Sequence, residues 1–559
     1  MNVPSGSPSP RPIFEIRDAL GLGAEDVEPC GWFKGKLAHD VVGRLPPPRA
    51  RYVDVTAVNP TPLGEGKTVT AIGLAMGLCR LGPKAIVTLR QPSLAPVFGV
   101  KGGGAGGGRS TLLPSDDINL HFTGDLHAVS AAHNLLAALL DNHARRGLAP
   151  ALVPSSMTWR RVVDLCDAGL AHIVTGLGNV PQAPLRETGF DLTAASEVMA
   201  ILSLATSLGD LRRRVGRIVV GETTEGRVVT AEEIGAAGAM AALLREAFRP
   251  NLVQTSEHTP ALVHTGPFGN IAHGNSSVIA DLAAMRLADY VVTESGFGSD
   301  CGAEKFIDIK CRVSGLRPDC EVLVCTVRAM KYQSGRFAVR PGRPLPESLL
   351  LEDLDALRAG ADNLRAHIEI LRRFGLPVVV AVNRFPDDSP REIDALREIA
   401  WSAGATAAVS DAFARGGEGT IELAKAVQEA CRQPNQFRFL YPLEMAPEEK
   451  IVTVARDIYG ADGVDFEPAA RKRLETFVRQ GYGSLPVCIA KTQYSLSHDP
   501  RLPGRPRGFR LPIHDVRLSA GAGFLYALAG EIKTMPGLSS DPAARHIDLG
   551  PDGEIFGLR

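Results

Sequence analysis

Six short apolar runs constrain this chain more than any other feature: "YVDVTAV" (52–58), "KAIVTL" (84–89), "DYVVTE" (289–294), "EVLVCTV" (321–327), "PVVVAVN" (377–383) and "ATAAVS" (405–410). Each is rich in β-branched residues, ends in a polar or glycine-containing loop, and is separated from the next by helix-like sequence. Runs without polar alternation are buried on both faces, so the pattern predicts an α/β fold with a mostly parallel sheet covered by helices on each side. Between the second and third runs an insertion, about 125–260, reads as mainly helical. "AVSAAHNLLAALLDNH" has helical apolar spacing, and Thr230 with Glu233 ahead of "GAMAALLREAF" forms a capping box.

At 559 residues and 45% hydrophobic, the chain is long enough for several domains. The reading is a disordered Pro/Ser-rich tail over 1–12 and a nucleotide-binding domain over 13–350 that carries the insertion. A second α/β domain over 351–450 and a C-terminal domain over 451–559 follow, with a Pro/Gly/Arg-rich passage at 333–348 near the first boundary. Lys+Arg of 61 against Asp+Glu of 62 gives a net charge of -1, which points to neither a nucleic-acid nor an anionic-membrane partner. The nine cysteines are odd in number and lack C-x-x-C spacing. With no apolar leader and no long apolar span, they predict free thiols in a cytoplasmic protein.

The first run leads into "NPTPLGEGKTVT" (59–70). A strand, a Pro/Gly loop at 59–66 and a helix from 67 to 80 are the context of a phosphate-binding loop. Thr61, Pro62, Leu63, Gly64, Glu65, Gly66, Lys67 and Thr68 are the candidate nucleotide-binding residues, although Thr61 stands where such loops begin with glycine. Backbone N–H groups of Gly64, Glu65 and Gly66 suit phosphate oxygens, Lys67 brings charge, and the Thr68 hydroxyl suits Mg²⁺. Taken alone, the loop predicts a P-loop NTPase-like site and no particular reaction.

Ligands bind at the carboxyl edge of a parallel sheet, so the loops after the other runs are candidates for the same site. The second run delivers Arg90, Gln91 and Lys101 in "LRQPSLAPVFGVKGGGAGGGRS", and a guanidinium there suits a second anion or a transferring phosphoryl group. The glycines fit either a site loop or a flexible linker. In "INLHFTGDLHAVSAAH" the histidines His121, His127 and His133 match no familiar zinc spacing and read as packing residues. Asp125, at a helix start, suits a substrate amine or a cation. His264, Asn270 and His273 fit a turn under the sheet as well as a site.

Nine strings together resemble the formate:tetrahydrofolate ligase (formyltetrahydrofolate synthetase) family: "NPTPLGEGKT", "PSLAPVFGVKGG", "DINLHFTGD", "NIAHGNSSVIAD", "GFGSDCGAEKFIDIKCR", "VNRFPDDS", "RGGEGT", "LPVCIAKTQYSLS" and "TMPGL". The family carries Thr at the start of its loop, as here at Thr61. The resemblance implies ATP-dependent ligation of formate to tetrahydrofolate through formyl phosphate, giving 10-formyltetrahydrofolate, ADP and phosphate. It also implies Mg²⁺, a monovalent cation (K⁺ or NH₄⁺), a folate carrying one or more glutamates, and a homotetramer. Lys67, Arg90, Gln91 and Asp125 become the candidate catalytic residues. Phe297, Phe385 and Phe413 become the candidate folate-binding residues, each of which reads equally as core from composition alone. The chain departs from the family at Gln91, where Glu is usual, at Phe413, where Trp is common, at Ala95 and in "CGWFKGKL". Those departures keep open a paralogue with a changed substrate, or a non-catalytic ATP/folate-binding regulator.

Overall fold

The computed structural model describes residues 9–558 except 63, 102, 179–183, 340–344 and 531. All six apolar runs are strands of one sheet. In chain order the strands that matter here are β1 (Arg51–Ala57), β2 (Ala85–Leu89), β3 (Asn251–Thr255), β4 (Pro260–Val263), β5 (Tyr290–Glu294), β6 (Cys320–Cys325), β7 (Val378–Asn383) and β8 (Thr406–Ser410). Their spatial order is β3-β4-β2-β5-β1-β6-β7-β8. From β4 to β8 every neighbouring pair is parallel. β3 runs antiparallel to β4, extends the sheet at one edge, and pairs there with Gly35–Leu37. β7 and β8 lie within 351–450 and hydrogen-bond onto this same sheet.

Burial explains the composition of the runs. Every residue of β2, β6 and β7 is buried, because helices cover both faces. Alternate residues of β6 serve opposite cores: Val322 and Val324 pack with α1 (Lys67–Arg80), while Leu323 and Cys325 pack with α4 (Leu354–Arg373). Asp353 starts α4 by accepting from Ala356 N at 2.8 Å, and Leu357, Ala361, Leu364, Ile368 and Leu371 form its apolar stripe. Each fully buried Leu or Ile in such a stripe contributes roughly 1.5–3 kcal/mol. On α1, glycine permits close approach at two positions. A Cβ on Gly73 would lie 2.6 Å from Ala412 Cβ, and one on Gly77 2.4 Å from Thr420 Oγ1.

The 125–260 insertion opens with the helix α2 (Asp125–Arg146) and holds further helices at Glu197–Leu204, Leu208–Gly216 and Ala237–Leu244. It also carries three two-stranded sheets, whose strands of three or four residues are too short to leave a periodic signal. Thr230 and Glu233 do exchange the reciprocal bonds of a capping box, yet the helix begins only at Ala237. All nine cysteines are free thiols. Among the described residues no helix is long and apolar enough to cross a membrane.

The middle of the sheet contains an acidic pair. Asp54 of β1 and Glu321 of β6 are cross-strand partners, and both are fully buried. Burial pushes the Asp54 carboxyl up to about 7 against the hydrogen bond it accepts from Ser295 Oγ at 2.7 Å. Burial and the adjacent Asp54 charge push Glu321 well above the usual carboxylate range. Folding therefore retains protons that the unfolded chain releases near pH 4. That stabilisation is complete below pH 4 and is lost as pH rises through about 7. Asp54→Asn is expected to flatten this decline, so that its thermal midpoint falls less than the wild type's between pH 5 and pH 8. Parallel pH profiles for the two proteins would contradict the assignment.

Candidate active site

Five strands of the sheet, β2, β5, β1, β7 and β8, end at one edge, and each leads to a side chain that bears on chemistry. β1 runs into the loop 59–66, which α1 follows. Gly66 caps α1 with φ 76° and has no side chain to make a capping bond, a helix start of the kind that suits an anion. Gly64, at φ 74°, is likewise left-handed, whereas Thr61 is not among the residues with positive φ. A β-branched side chain therefore costs nothing at the position where glycine is customary. The loop is closed internally, since Thr61 N donates to Glu65 Oε1 at 2.7 Å. Burial raises the Glu65 pKa, opposed by the Lys67 charge and that Thr61 bond. Lys67 begins α1. Leu63 lies outside the described residues, as does the side chain of Lys101.

Glu294, the last residue of β5, joins two of the predicted residues. Thr68 Oγ1 donates to its Oε2 at 2.5 Å, and Arg90 Nη2 lies 3.5 Å from its Oε1. Strand order explains the meeting, because β5 lies between β2, which ends before Arg90, and β1, which leads to Thr68. Gly296 leaves room for the guanidinium, as a Cβ there would lie 3.2 Å from Arg90 Nη2. Thr68 and Glu294 supply two hard oxygen donors side by side, the donor set that suits Mg²⁺.

Gln91 is 3% exposed. Its backbone N donates to Thr265 O at 2.6 Å, and Thr265 holds a strained φ of 53°. Neither atom of the buried Gln91 amide has a hydrogen-bond partner among the described residues.

Asp125, at the start of α2, is tied to the same edge, because Asn251 Nδ2 bonds both its Oδ2 and the carbonyl of Val263, which ends β4 beside Leu89. It is 3% exposed, with Oδ1 2.7 Å from Lys36 Nζ and Oδ2 accepting from Asn251 Nδ2 at 2.8 Å. Both oxygens are engaged, and removing one partner of a buried pair typically costs about 3–5 kcal/mol. Of the histidines expected to be packing residues, His121 and His127 are exposed and His133 is packed, as is His264. His133 stacks on Trp159 at 4.2 Å, and burial lowers its pKa to about 3. His264 contacts Ser277 Oγ and Ala247 O, and burial brings its pKa down to about 4. No group of three His, Cys, Asp or Glu suited to a metal occurs among the described residues.

The three phenylalanines all follow strand ends. Phe297, three residues past Glu294, is half-buried at φ 62°, with its ring over Gly269. Phe385 follows β7, and the Arg328 guanidinium lies 4.2 Å from its ring centre, held by Asp387 at 2.7 Å. Phe413 follows β8 on α5 (Ala412–Arg415) and is 54% exposed. Its carbonyl accepts from Arg109 N at 2.8 Å, and its ring lies against Gly107. Gly107 and Gly108 of the glycine run thus lie directly against Phe413. Asn383, which closes β7, donates from Nδ2 to Glu65 O at 2.9 Å.

Glu294 and Asn383 were not among the predicted site residues. The only sequence signal for them is a polar residue at the last position of an apolar run.

Residues 5–559 match the model of the family described as formate–tetrahydrofolate ligase. The formate–tetrahydrofolate ligase of Saccharopolyspora erythraea is 56% identical over 549 residues, covering 98% of this chain and 97% of that protein. That of Roseiflexus sp. is 55% identical over 550 residues, with 98% of each chain covered. The Cutibacterium acnes protein of the same name is 53% identical over 548 residues, covering 98% and 97%. A family match across almost the whole sequence and identities above one half place this chain in the formate–tetrahydrofolate ligase family.

Proposed function

We propose that this chain ligates formate to tetrahydrofolate at the expense of ATP, through formyl phosphate. The observation that carries the reading is Glu294, which holds the Thr68 hydroxyl and the Arg90 guanidinium together at the start of α1. In the first step a formate oxygen attacks the γ-phosphorus and ADP leaves with the electron pair. N10 of tetrahydrofolate then attacks the formyl carbon, the carbon–oxygen bond to phosphate breaks, phosphate departs with that pair, and the nitrogen loses its proton. The phosphorylation replaces oxide, a leaving group too basic to depart, with phosphate.

Backbone N–H groups of the loop and Lys67 hold the phosphates, and Arg90 neutralises the anhydride. Thr68 and Glu294 would hold Mg²⁺, which when bound neutralises phosphate charge. Phe297, Phe385 and Phe413 offer faces for the pterin. The second α/β segment reaches this site through Phe385 and Phe413. A monovalent cation, a polyglutamylated folate, a homotetramer and a cytoplasmic location follow the family resemblance. Asp125 is assigned to holding Lys36 and Asn251 in place, beside any role toward a substrate amine.

Lys67→Ala is expected to lower ATP-dependent formylation at least about a hundredfold, the scale of losing one preorganised charge at a transferring group. Near-normal turnover would exclude the loop as the reacting nucleotide site. Glu294→Gln keeps an acceptor for Thr68 but removes the charge. Binding of Mn²⁺ with ADP, followed by electron paramagnetic resonance, is expected to weaken about tenfold, and unchanged binding would remove Glu294 from the metal site.

Gln91 offers a neutral amide where a carboxylate would accept a proton from the attacking amine. Gln91→Glu is therefore expected to raise kcat with little change in the KM for ATP, toward the roughly hundredfold that general-base terms supply. A lower kcat would mean the site is built around the amide. Absence of formylation by both proteins would favour the non-catalytic ATP/folate-binding alternative.

A further inference from the structure

We propose that Asn383 is a positioning residue that ties the phosphate loop to the two aromatic loops, so that nucleotide and folate each strengthen binding of the other. The proposal rests on the assignment of Phe385 and Phe413 to the folate site.

The C=O of Glu65 and the N–H of Gly66 belong to the same planar amide and point in opposite directions. Asn383 Nδ2 holds that carbonyl at 2.9 Å, which directs the Gly66 N–H away from Asn383. Gly66 is one of the donors assigned to phosphate. The contact is close as well as polar, because a Cβ on Gly66 would lie 2.4 Å from the same Nδ2. Asn383 is 5% exposed, so its amide does not readily exchange this partner for water. An anion that engages the Gly66 N–H fixes the plane, and the plane fixes Asn383.

Both aromatic loops start from this point. Asn383 and Ser410 are register partners at the ends of β7 and β8, and Arg384 N donates to Ser410 O at 3.0 Å. Phe385 is two residues past Asn383, and Phe413 is three past Ser410. A second tie runs through α1: Thr420 Oγ1 donates to Gly73 O at 2.6 Å, and Ala412 packs on Gly73 where a side chain would not fit. Ser110 Oγ donates to Ala412 O at 2.8 Å. The phosphate loop and its helix therefore cannot shift relative to Phe385 and Phe413 without breaking named contacts. A ligand that orders one side removes part of the ordering cost for the other.

The test is equilibrium binding to the full chain, using ADP and monoglutamyl tetrahydrofolate without formate so that no turnover occurs. In the wild type, saturating ADP is expected to tighten folate binding about fivefold or more. Folate is expected to tighten ADP by the same factor, as linkage requires. In Asn383→Ala, and in Asn383→Asp, which keeps the size but loses the donor, both ligands are expected to bind with the coupling factor within about twofold of one. Independent binding of the two ligands in the wild type would overturn the proposal, as would coupling retained in both folded variants. Failure of both variants to fold would assign Asn383 to stability and overturn it also. ADP binding without any tetrahydrofolate binding in the wild type would instead refute the folate-site assignment on which the proposal rests.

Discussion

The carboxylate of Glu294 is the contact on which the geometry of this site depends. It lies on β5, and its two oxygens reach the products of both neighbouring strands, Thr68 after β1 and Arg90 after β2. A hydrogen bond to a charged acceptor is worth roughly 1.5–3 kcal/mol, enough to hold a threonine rotamer at a helix start. The Arg90 contact at 3.5 Å is looser, and 28% of that side chain is exposed, so the guanidinium retains freedom to meet an incoming anion. A rigid donor beside a movable cation suits a site that binds a nucleotide and then accommodates a new anhydride.

Support for this edge comes from the sheet. β1, β2, β5 and β6 are buried almost throughout, and the helices on both faces leave the loops at the carboxyl ends as the place where polar groups meet solvent. Several charges that lie deeper are paired: Lys36 with Asp125, Lys310 with Asp281, and Lys491 with Asp300. Within the sheet itself, burial raises the pKa of both Asp54 and Glu321 and so favours their protonated forms. Ser295 bonds both Asp54 and Asn275, so this acidic pair abuts the residue next to Glu294.

Much of the architecture was legible because burial on two faces leaves an unmistakable mark on sequence. All six apolar runs are parallel strands. β4 escaped notice because four residues close behind an antiparallel partner do not form a run, and the small sheets of the insertion escaped for the same reason. Lys67, Thr68, Arg90 and Gln91 could be placed at the sheet edge from their distance to a strand end. Glu294 and Asn383 could not. Their roles depend on which strands are neighbours, and strand order is a non-local property: Glu294 is 226 residues from Thr68, and Asn383 is 318 from Glu65. Asp125 adds a further non-local case, since its partner Lys36 lies 89 residues earlier.

Activation of formate on phosphate, as proposed for the edge formed by Thr68, Arg90 and Glu294, leaves a mark on the products. The most direct measurement is the fate of oxygen when the full chain turns over ATP, ¹⁸O-labelled formate and tetrahydrofolate. Attack of formate on the γ-phosphorus followed by cleavage of the carbon–oxygen bond predicts one ¹⁸O in each phosphate released, with ADP, phosphate and 10-formyltetrahydrofolate in equal amounts. Formylation with unlabelled phosphate would contradict the acyl phosphate route, and ATP hydrolysis without formylation would contradict the ligase reading itself.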